Sequence, residues 1–287
     1  MVEGTFIAMA PAKINIHLEI QNKRGDGFHN IVSLFQKVAL YDEITVTIKN
    51  DKKLSVNCNG GANFENNNNT LVKSALLFGR MFDLKVAINI SVNKRIPIGS
   101  GLGGPSSDAA AVLKLLNSCW DFPLNEEQLV ELALQVGSDV PFFIKESSAA
   151  LVSGRGEFVS PIRGRDDLHL LIVTPKSFFV STKEAYEYRF EKNRESIPLS
   201  ELEALYNQKI SSWPFYNDFK EYLNIKSSFY NVMAEETKEF TDCFCSVSGS
   251  GSSFIIIGEN RGVLAEIEAK LGRVRLEFSQ YLTKCLH

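Results

Sequence analysis

The sequence has few of the features that mark disulfide-rich, membrane-spanning or nucleic-acid-binding proteins. Its 287 residues include five cysteines, an odd number with no Cys-x-x-Cys spacing, which indicates reduced thiols rather than a disulfide framework. No apolar run reaches the roughly 18 residues that a membrane-spanning helix needs. The formal net charge of −3 gives no whole-chain attraction for nucleic acid or an anionic membrane. An anionic small molecule would therefore need a local basic cluster.

The first twelve residues lack a basic stretch followed by a long apolar run, so we expect no secretory signal and a cytoplasmic protein. Hydrophobic residues make up 44% of the chain and include 20 phenylalanines, which is enough for a sizeable core. At roughly 150 residues per domain the length predicts two domains, which we place at residues 1–162 and 163–287.

A glycine-rich stretch at residues 97–111 (PIGSGLGGPSSDAAA) is the most informative part of the sequence. Its four glycines within six residues leave a bare backbone with free access to positive φ. Ser106, Ser107 and Asp108 are N-cap residue types, and the apolar spacing after them predicts a buried helix that begins there. A bare loop leading into a helix N-terminus directs several N–H donors at one spot, which suits a phosphate group.

Three other interpretations fit part of this stretch. The spacing of Gly99, Gly101 and Gly104 matches the dinucleotide fingerprint G-x-G-x-x-G, but no strand runs directly into the first glycine. A P-loop needs Gly-Lys-Ser/Thr, and no lysine follows Gly104. A tight turn without a ligand remains open, although it requires fewer glycines. The residues favour a phosphate cradle that is neither a Rossmann loop nor a P-loop.

Alternating apolar residues predict a strand over residues 6–20 with one apolar face. Asn15, His17 and Glu19 fall on its other face, and Lys13 lies at its start, where a lysine is usually a solvated strand end. We predict two separate strands at residues 31–35 and 42–49, and a closing strand at residues 274–278. We predict helices at residues 71–82 and 126–136, capped by Asn69 or Thr70 and by Asn125. A hairpin is expected at residues 149–159.

The segment KRGDGFH at residues 23–29 predicts a turn between two strands. Phe28 and His29 follow the cations Lys23 and Arg24. An aromatic ring and an imidazole beside two cations are the parts needed to hold a base and its phosphates. The simpler interpretation places Phe28 in the core and leaves His29 on the surface.

Asp139 is a lone acid among apolar neighbours in the segment VGSDVPFF, where burial would penalise it unless it had a partner. Two interpretations are open. Asp139 either has a structural role and caps a backbone turn, or has a functional role and acts on a substrate. A second glycine–serine segment at residues 248–253 is either a hairpin link or a further part of the site.

Three motifs in this order resemble the GHMP kinase superfamily: PAKIN at residues 11–15, PIGSGLGGPSSDAA at residues 97–110 and SVSGSGSS at residues 246–253. Within it, PAKIN, RGDGFH at residues 24–29 and GSDVP at residues 137–141 look like the members that act on 4-diphosphocytidyl-2-C-methyl-D-erythritol. The similarity extends from Ala10 to about Phe254. The DGFH element is the most discriminating, because other superfamily members lack it.

The resemblance implies an α+β protein with the two-domain GHMP kinase fold. Its N-terminal domain would be ribosomal-S5-like and its C-terminal domain ferredoxin-like, with the site between them. The implied reaction transfers the γ-phosphoryl group of ATP to the 2-hydroxyl of the methylerythritol moiety, in the non-mevalonate isoprenoid pathway. Mg²⁺ would bridge the ATP phosphates. We expect a small-molecule substrate, no nucleic acid or membrane partner, and a monomer or weak homodimer.

The resemblance also implies roles for individual residues. Lys13 and Asp139 would be the catalytic pair, with Asp139 accepting the hydrogen bond of the substrate hydroxyl. Phe28 and Tyr186 would stack on the two faces of the cytosine, and His29 would read its edge. The ATP-binding residues would be Pro97, Gly99, Ser100, Gly101, Leu102, Gly103, Gly104, Ser106 and Ser107. The substrate-binding residues would be Asn15, Phe28, His29, Thr182, Tyr186 and Gly249.

Three positions depart from the family pattern. Phe28 stands where a tyrosine is usual, which keeps the ring and loses a hydroxyl. Pro105 replaces a usual glycine and removes one N–H donor, which is least missed in the first turn of a helix. Thr70 stands where an adenine-binding asparagine is frequent.

Alternatives remain from other classes. A superfamily kinase for mevalonate, homoserine or a sugar would not need the pair of Phe28 and Tyr186. A nucleotide-binding regulator without turnover would not need both Lys13 and Asp139. A Rossmann dehydrogenase would bind a nicotinamide cofactor.

Overall fold

A computed structural model describes residues 3–59, 69–178, 180–188 and 195–287. It contains mixed helices and strands in two sheets, so the α+β prediction is confirmed. The chain divides into two compact units, each built from several segments. The first unit comprises residues 1–12, 40–96 and 103–146, and the second comprises residues 13–39, 97–102 and 147–287. The two units do not correspond to residues 1–162 and 163–287, because residues 162 and 163 both lie in the second unit. The domain boundary between these residues stays a prediction.

The first two strands are long and pass through both units. Strand β1 spans Gly4–Lys23 and β2 spans His29–Asn50, and the two strands pair with each other. The predicted break near residues 36–41 is wrong, because no glycine or proline interrupts β2 there. Its buried Gln36 is also partnered: its side-chain amide N–H donates to the carbonyl of Leu286, and its oxygen accepts from the Tyr206 hydroxyl.

In the first unit, the later half of β2 pairs antiparallel with β4 (Val86–Asn93), and β4 pairs parallel with β3 (Ser55–Asn59). Inward side chains of these strands pack with four helices: α1 (Thr70–Met81), α2 (Gly104–Cys119), α3 (Glu126–Val136) and α4 (Val140–Ile144). The predicted caps are confirmed. Asn69 accepts from the N–H of Leu71, and Asn125 forms a reciprocal capping box with Gln128.

In the second unit, the first half of β2 pairs with β5 (Ala149–Gly154), which forms the predicted hairpin with β6 (Phe158–Ile162). A four-stranded antiparallel sheet has the order β10-β7-β9-β8. These strands are β7 (His169–Pro175), β8 (Phe244–Val247), β9 (Phe254–Gly258) and β10 (Phe278–Lys284). The helices are α5 (Thr182–Glu187), α6 (Leu199–Tyr206), α7 (Phe219–Lys226), α8 (Phe229–Thr237) and α9 (Arg261–Leu271).

Two further predictions are corrected. The closing strand begins at Phe278 rather than residue 274, because its register is set by pairing with β7, from Phe278 opposite Pro175 to Lys284 opposite His169. Strand β1 is buried on both faces between residues 12 and 19, so its polar residues do not face solvent. Among the described residues, no helix combines the length and apolar character needed to cross a membrane.

Candidate functional site

The glycine loop owes its course to backbone conformations that side chains rarely adopt. Gly99, Gly101 and Gly103 have φ angles of 68°, 76° and 72°. Gly103 takes the N-cap position of α2, so the helix starts at Gly104 and the prediction that Ser106, Ser107 or Asp108 caps it is wrong. Among the residues that the structure describes, no hydrogen bond uses the N–H groups of residues 99 and 101–104 as donors. These donors are available to an anion.

The second glycine–serine segment is more than a hairpin link, because it is hydrogen-bonded to the glycine loop inside the second unit. The N–H groups of Ser252 and Ser253 donate to the carbonyls of Gly99 and Ser100, at 3.3 and 3.0 Å. The Ser248 hydroxyl donates to the Gly101 carbonyl at 2.9 Å. A Cβ on Gly101 would lie 2.0 Å from the Ser248 carbonyl oxygen, so only glycine permits this approach.

Lys13 is buried beside this pair of loops, with 3% of its surface exposed. Its N–H donates to the carbonyl of Leu102 at 2.9 Å. Its Nζ donates to Asn15 Oδ1 at 2.7 Å and lies 4.1 Å from the centre of the Phe35 ring. Buried ammonium groups require such polar and aromatic partners, because desolvation is costly.

Asn15 connects Lys13 to the second loop. Its Oδ1 also accepts the N–H of Gly249 at 2.9 Å, and its Nδ2 donates to Ser33 Oγ at 3.0 Å. The Asn15 N–H donates to Ser248 Oγ at 3.3 Å. Gly249 has a φ of 54°, and a Cβ there would meet the Gly101 carbonyl oxygen at 3.0 Å. The structure thus brings four predicted site residues into one network: Lys13, Asn15, Gly101 and Gly249.

The other predicted ATP-binding residues follow the chain in order. Ser100 is buried and its hydroxyl donates to the Pro97 carbonyl at 2.5 Å. Ser106 and Ser107 lie in the first turn of α2, where their N–H groups donate to the Gly103 carbonyl. Ser107 Oγ is buried and has no hydrogen-bond partner among the described residues. An oxygen in that state suits a phosphate or a hydrated cation.

A buried ion cluster of Asp42, Lys94 and Asp108 lies in the first unit. Lys94 Nζ is 2.8 Å from Asp108 Oδ2 and also contacts Asp42 Oδ2. Asp42 Oδ1 accepts the N–H groups of Arg95 and Ile96, at 2.6 and 2.9 Å. The cluster therefore ties the segment before the glycine loop to the second turn of the helix after it.

Burial raises the pKa of Asp108 to about 7. Lys94 lowers this pKa and the neighbouring Asp42 carboxylate raises it, so the lysine offsets only part of the desolvation. Asp108 Oδ1 has no hydrogen-bond partner among the described residues. Gly104 completes the packing, because a Cβ there would lie 3.2 Å from Lys94 Nζ.

Asp139 belongs to the first unit. It precedes the short helix α4, is half-buried, and its side chain does not cap that helix. The interpretation that Asp139 caps a turn stays a prediction. Because Lys13 belongs to the second unit, the catalytic pair stays a prediction.

The turn between β1 and β2 is organised by Arg24. Its Nε lies 3.2 and 3.1 Å from the two Asp26 oxygens, and its Nη1 lies 3.3 Å from Glu157 Oε1. Asp26 Oδ1 in turn accepts the Phe28 N–H at 3.2 Å. Phe28 is 50% exposed, and the guanidinium carbon of Arg155 lies 5.1 Å from its ring centre. The simpler interpretation of a core Phe28 is therefore wrong.

His29 stacks on Tyr186, with ring centres 5.7 Å apart and planes inclined by 30°. Tyr186 is held edge-on by Phe219 at 4.9 Å. The His29 Nδ1 lies 3.2 Å from the Gln21 carbonyl oxygen, which can only accept, so Nδ1 carries the proton in this contact. The Thr182 hydroxyl, at the start of α5, hydrogen-bonds Ser250 Oγ at 3.1 Å.

Sequence reasoning missed the two cations Lys94 and Arg155, and the acids Asp42 and Glu157 that organise the loops around them. A lysine before the glycine loop and an arginine between two glycines were visible signals. Asp42 lies 52 residues from Lys94, and Glu157 lies 133 residues from Arg24, the residue whose guanidinium it binds. Such distant pairings leave no local pattern.

The chain resembles known kinases in sequence. Residues 69–147 match the family description "GHMP kinases N terminal domain". A 4-diphosphocytidyl-2-C-methyl-D-erythritol kinase from Desulfotalea psychrophila is 39% identical over 180 residues, which are 62% of this chain and 60% of that protein. The protein of the same name from Ruthia magnifica is 41% identical over 63% of this chain and 62% of its own length. The match thus spans about three fifths of the length of these relatives.

Solved structures share the fold over nearly the whole chain. A crystal structure of 4-(cytidine 5′-diphospho)-2C-methyl-D-erythritol kinase has a TM-score of 0.77 at 24% identity, covering 97% of this chain and 99% of its own. A homoserine kinase from Cytophaga hutchinsonii has a TM-score of 0.76 at 16% identity, covering 99% and 96%. The fold is therefore that of the GHMP kinases, and it accommodates more than one substrate class.

Gly101→Ala should lower the free energy of unfolding by at least about 1–2 kcal/mol, because its φ is strained for alanine and its Cβ would collide with Ser248. Urea denaturation measures this loss. Gly25→Ala is the matched control, because no atom lies within 4 Å of its Cβ and its φ is not positive, so stability should barely change. Equal effects of the two substitutions would contradict the loop contact.

Asp108→Asn should change how stability depends on pH. The folded chain holds the Asp108 proton more tightly than the unfolded chain, so this contribution is complete below about pH 4 and is lost as pH rises through about 7. The variant should therefore gain stability relative to the wild type as pH rises from about 4 to about 7, as measured by thermal unfolding. A stability difference between the two proteins that stays constant over this range would refute the titration of Asp108.

Proposed function

We propose that this chain belongs to the GHMP kinase family and is an ATP-dependent small-molecule kinase. Its acceptor is the 2-hydroxyl of 4-diphosphocytidyl-2-C-methyl-D-erythritol, a reaction of the non-mevalonate isoprenoid pathway in the cytoplasm. The observation that carries the proposal is the network of Lys13, Asn15 and the two glycine–serine loops. It places the buried Lys13 ammonium beside backbone N–H groups of the glycine loop that donate no hydrogen bond among the described residues. Together these groups can bind a phosphoryl group and stabilise its charge during transfer.

The ATP phosphates are held by backbone rather than by a P-loop lysine. The donors are the N–H groups of residues 99 and 101–104, which lead into the N-terminus of α2, whose dipole favours negative charge. The residues assigned here are those predicted from the sequence: Pro97, Gly99, Ser100, Gly101, Leu102, Gly103, Gly104, Ser106 and Ser107. The Ser107 hydroxyl is the side-chain oxygen available to the nucleotide.

Mg²⁺ fits this proposal as a partner of the nucleotide. Among the described residues, no group of three or more His, Cys, Asp or Glu side chains could hold a metal ion. The unpartnered Ser107 Oγ is the hard oxygen donor that such an ion prefers, and the phosphates would supply further ligands. When bound, the ion would neutralise charge on the phosphates.

Lys13 and Asp139 carry the two charges of the reaction. Lys13 is oriented by Asn15 and stabilises the negative charge of the γ-phosphoryl group. Asp139 accepts the hydrogen bond of the substrate hydroxyl and aligns it for attack. Phosphoryl transfer with a loose transition state depends mainly on positioning, so Asp139 takes the proton late in the reaction.

The cytidine part of the substrate is assigned to Phe28, His29 and Tyr186, with Asn15, Thr182 and Gly249 contacting the remainder. Because Nδ1 of His29 donates to Gln21, the neutral ring offers Nε2 as an acceptor. The exocyclic amino group of cytosine is a donor and matches this acceptor. Tyr186 stacks on His29 in this structure, so the cytosine must replace His29 as the ring on which Tyr186 stacks.

Lys13→Met and Asp139→Asn should each lower kcat by at least about 10²-fold, because each removes a group that acts only in the reaction. ADP release is measured with the cytidyl substrate, mevalonate and homoserine as acceptors. ATP affinity should change little, since the backbone holds the phosphates. The exposed Lys176→Met and Asp166→Asn serve as matched controls and should retain full kcat.

The proposed acceptor is wrong if ADP release responds to homoserine or mevalonate and not to the cytidyl substrate. The assignment of the pair is wrong if either variant keeps near-normal kcat. Far-UV circular dichroism and ATP-analogue binding identify loss of fold, which matters for the buried Lys13.

His29→Phe should raise KM for the cytidyl substrate roughly fivefold and leave KM for ATP unchanged. Phenylalanine keeps the ring that stacks on Tyr186 and removes the hydrogen-bond acceptor, whose loss is worth about 1 kcal/mol. His29→Ala, which removes both, should be at least as impaired. A wild-type KM for His29→Phe would show that the ring, and not Nε2, is what the substrate uses.

A further inference from the structure

The turn that carries Phe28 contains two arginines whose charges are used differently. Arg24 hydrogen-bonds Asp26 and Glu157, so two carboxylates surround its guanidinium. Hydrogen bonding from Arg24 accordingly lowers the pKa of Asp26. A guanidinium engaged in this way has little capacity left for a ligand. Arg24 therefore holds the turn together and is not the cation that the sequence suggested.

Arg155 presents the opposite case. It lies at the tip of the β5–β6 hairpin between Gly154 and Gly156, and it is half-buried. Its guanidinium carbon lies 5.1 Å from the centre of the Phe28 ring, and among the described residues its side chain makes no hydrogen bond or ion pair. Its backbone N–H donates to Glu157, which fixes the hairpin tip. The five guanidinium N–H donors are thus positioned and unused.

The tip cannot be moved freely, so the position of Arg155 is built into the fold. Gly154 has a φ of 68°, and a Cβ there would lie 2.3 Å from Glu157 Oε2. The Glu157 carboxylate accepts a hydrogen bond from the Arg24 guanidinium, and the backbone N–H of Arg24 donates to the Phe28 carbonyl at 2.7 Å. The hairpin tip and the aromatic ring are therefore parts of one hydrogen-bonded unit.

We propose that Arg155 is a further binding residue, which holds the diphosphate of the cytidyl substrate while its guanidinium lies against Phe28. The inference rests on the proposed function, in which Phe28 stacks on the base. In a 5′-nucleotide only a sugar separates the base from the first phosphate. A planar cation beside the stacking ring is thus within reach of that phosphate and can bind two of its oxygens.

The test measures the binding of cytidine, CMP and CDP to the full-length protein by isothermal titration calorimetry. Arg155→Gln should weaken CDP binding roughly tenfold and leave cytidine binding unchanged, because only the phosphates lose a partner. The preference of the wild type for CDP over cytidine should shrink with added salt, whereas the variant should show little salt dependence. Arg275→Gln is the matched control, because this exposed arginine makes no hydrogen bond, ion pair or ring contact among the described residues and its loss should change nothing.

Phe28→Leu separates the two parts of the argument. It removes the stacking ring, so it should weaken cytidine and CDP binding by similar factors. If Arg155→Gln also weakens cytidine and CDP binding by similar factors, Arg155 only supports the Phe28 ring and the proposal is wrong. If Arg155→Gln changes neither affinity, it is also wrong, while cytidine binding by the wild type leaves the proposed function standing. If the wild type binds none of the three ligands, both proposals are overturned.

Discussion

The proposed site depends on the two hydrogen bonds that Asn15 Oδ1 accepts, one from the Lys13 ammonium and one from the Gly249 N–H. Through them a single amide oxygen sets the direction of a buried charge and the position of a loop more than 230 residues away. The Asn15 amide N–H is used as well, by Ser33. A buried ammonium is tolerated only with such partners, so the geometry around it is tightly specified.

The same region explains why its glycines cannot be replaced. The loops at residues 99–102 and 248–253 contact each other through their backbones, with carbonyls of one accepting N–H or hydroxyl donors of the other. There is no room for a Cβ at Gly101, and its φ disfavours one. Carbonyls of the glycine loop are consumed in these contacts, whereas several of its N–H groups are not. The loop is thereby biased toward binding anions.

The cationic side chains of this protein differ in the partners that hold them, and their positions in the sequence do not show this difference. Arg24 and Lys94 are each engaged by two carboxylates and serve to hold backbone segments together. Lys13 faces an amide oxygen and an aromatic ring, and Arg155 faces an aromatic ring. The two groups of cations therefore differ in the partners that the structure gives them.

Structure that depends on local interactions could be predicted from the sequence. The helices at residues 70–81 and 126–136, their asparagine caps and the β5–β6 hairpin follow from short-range spacing and were predicted correctly. The motifs also indicated the α+β class and the residues Lys13, Asn15, Gly101 and Gly249, which the structure brings into one network. Glycine density and N-cap chemistry act within a few residues, so a single sequence records them.

Tertiary structure alone decided the rest. The second face of β1 is buried because Asn15 finds partners at Ser33 and Gly249, and β2 continues where the pattern predicted two strands. The start of α2 at Gly104 and the last strand at Phe278 depended on a left-handed glycine and on pairing with β7. These outcomes are set by partners tens to hundreds of residues away, and such distances leave no periodicity in the chain. The sequence by itself determined the helices, their caps and the hairpin, because these depend on neighbours within a few residues. Long-range packing decided which buried polar groups meet, because their partners lie far apart along the chain.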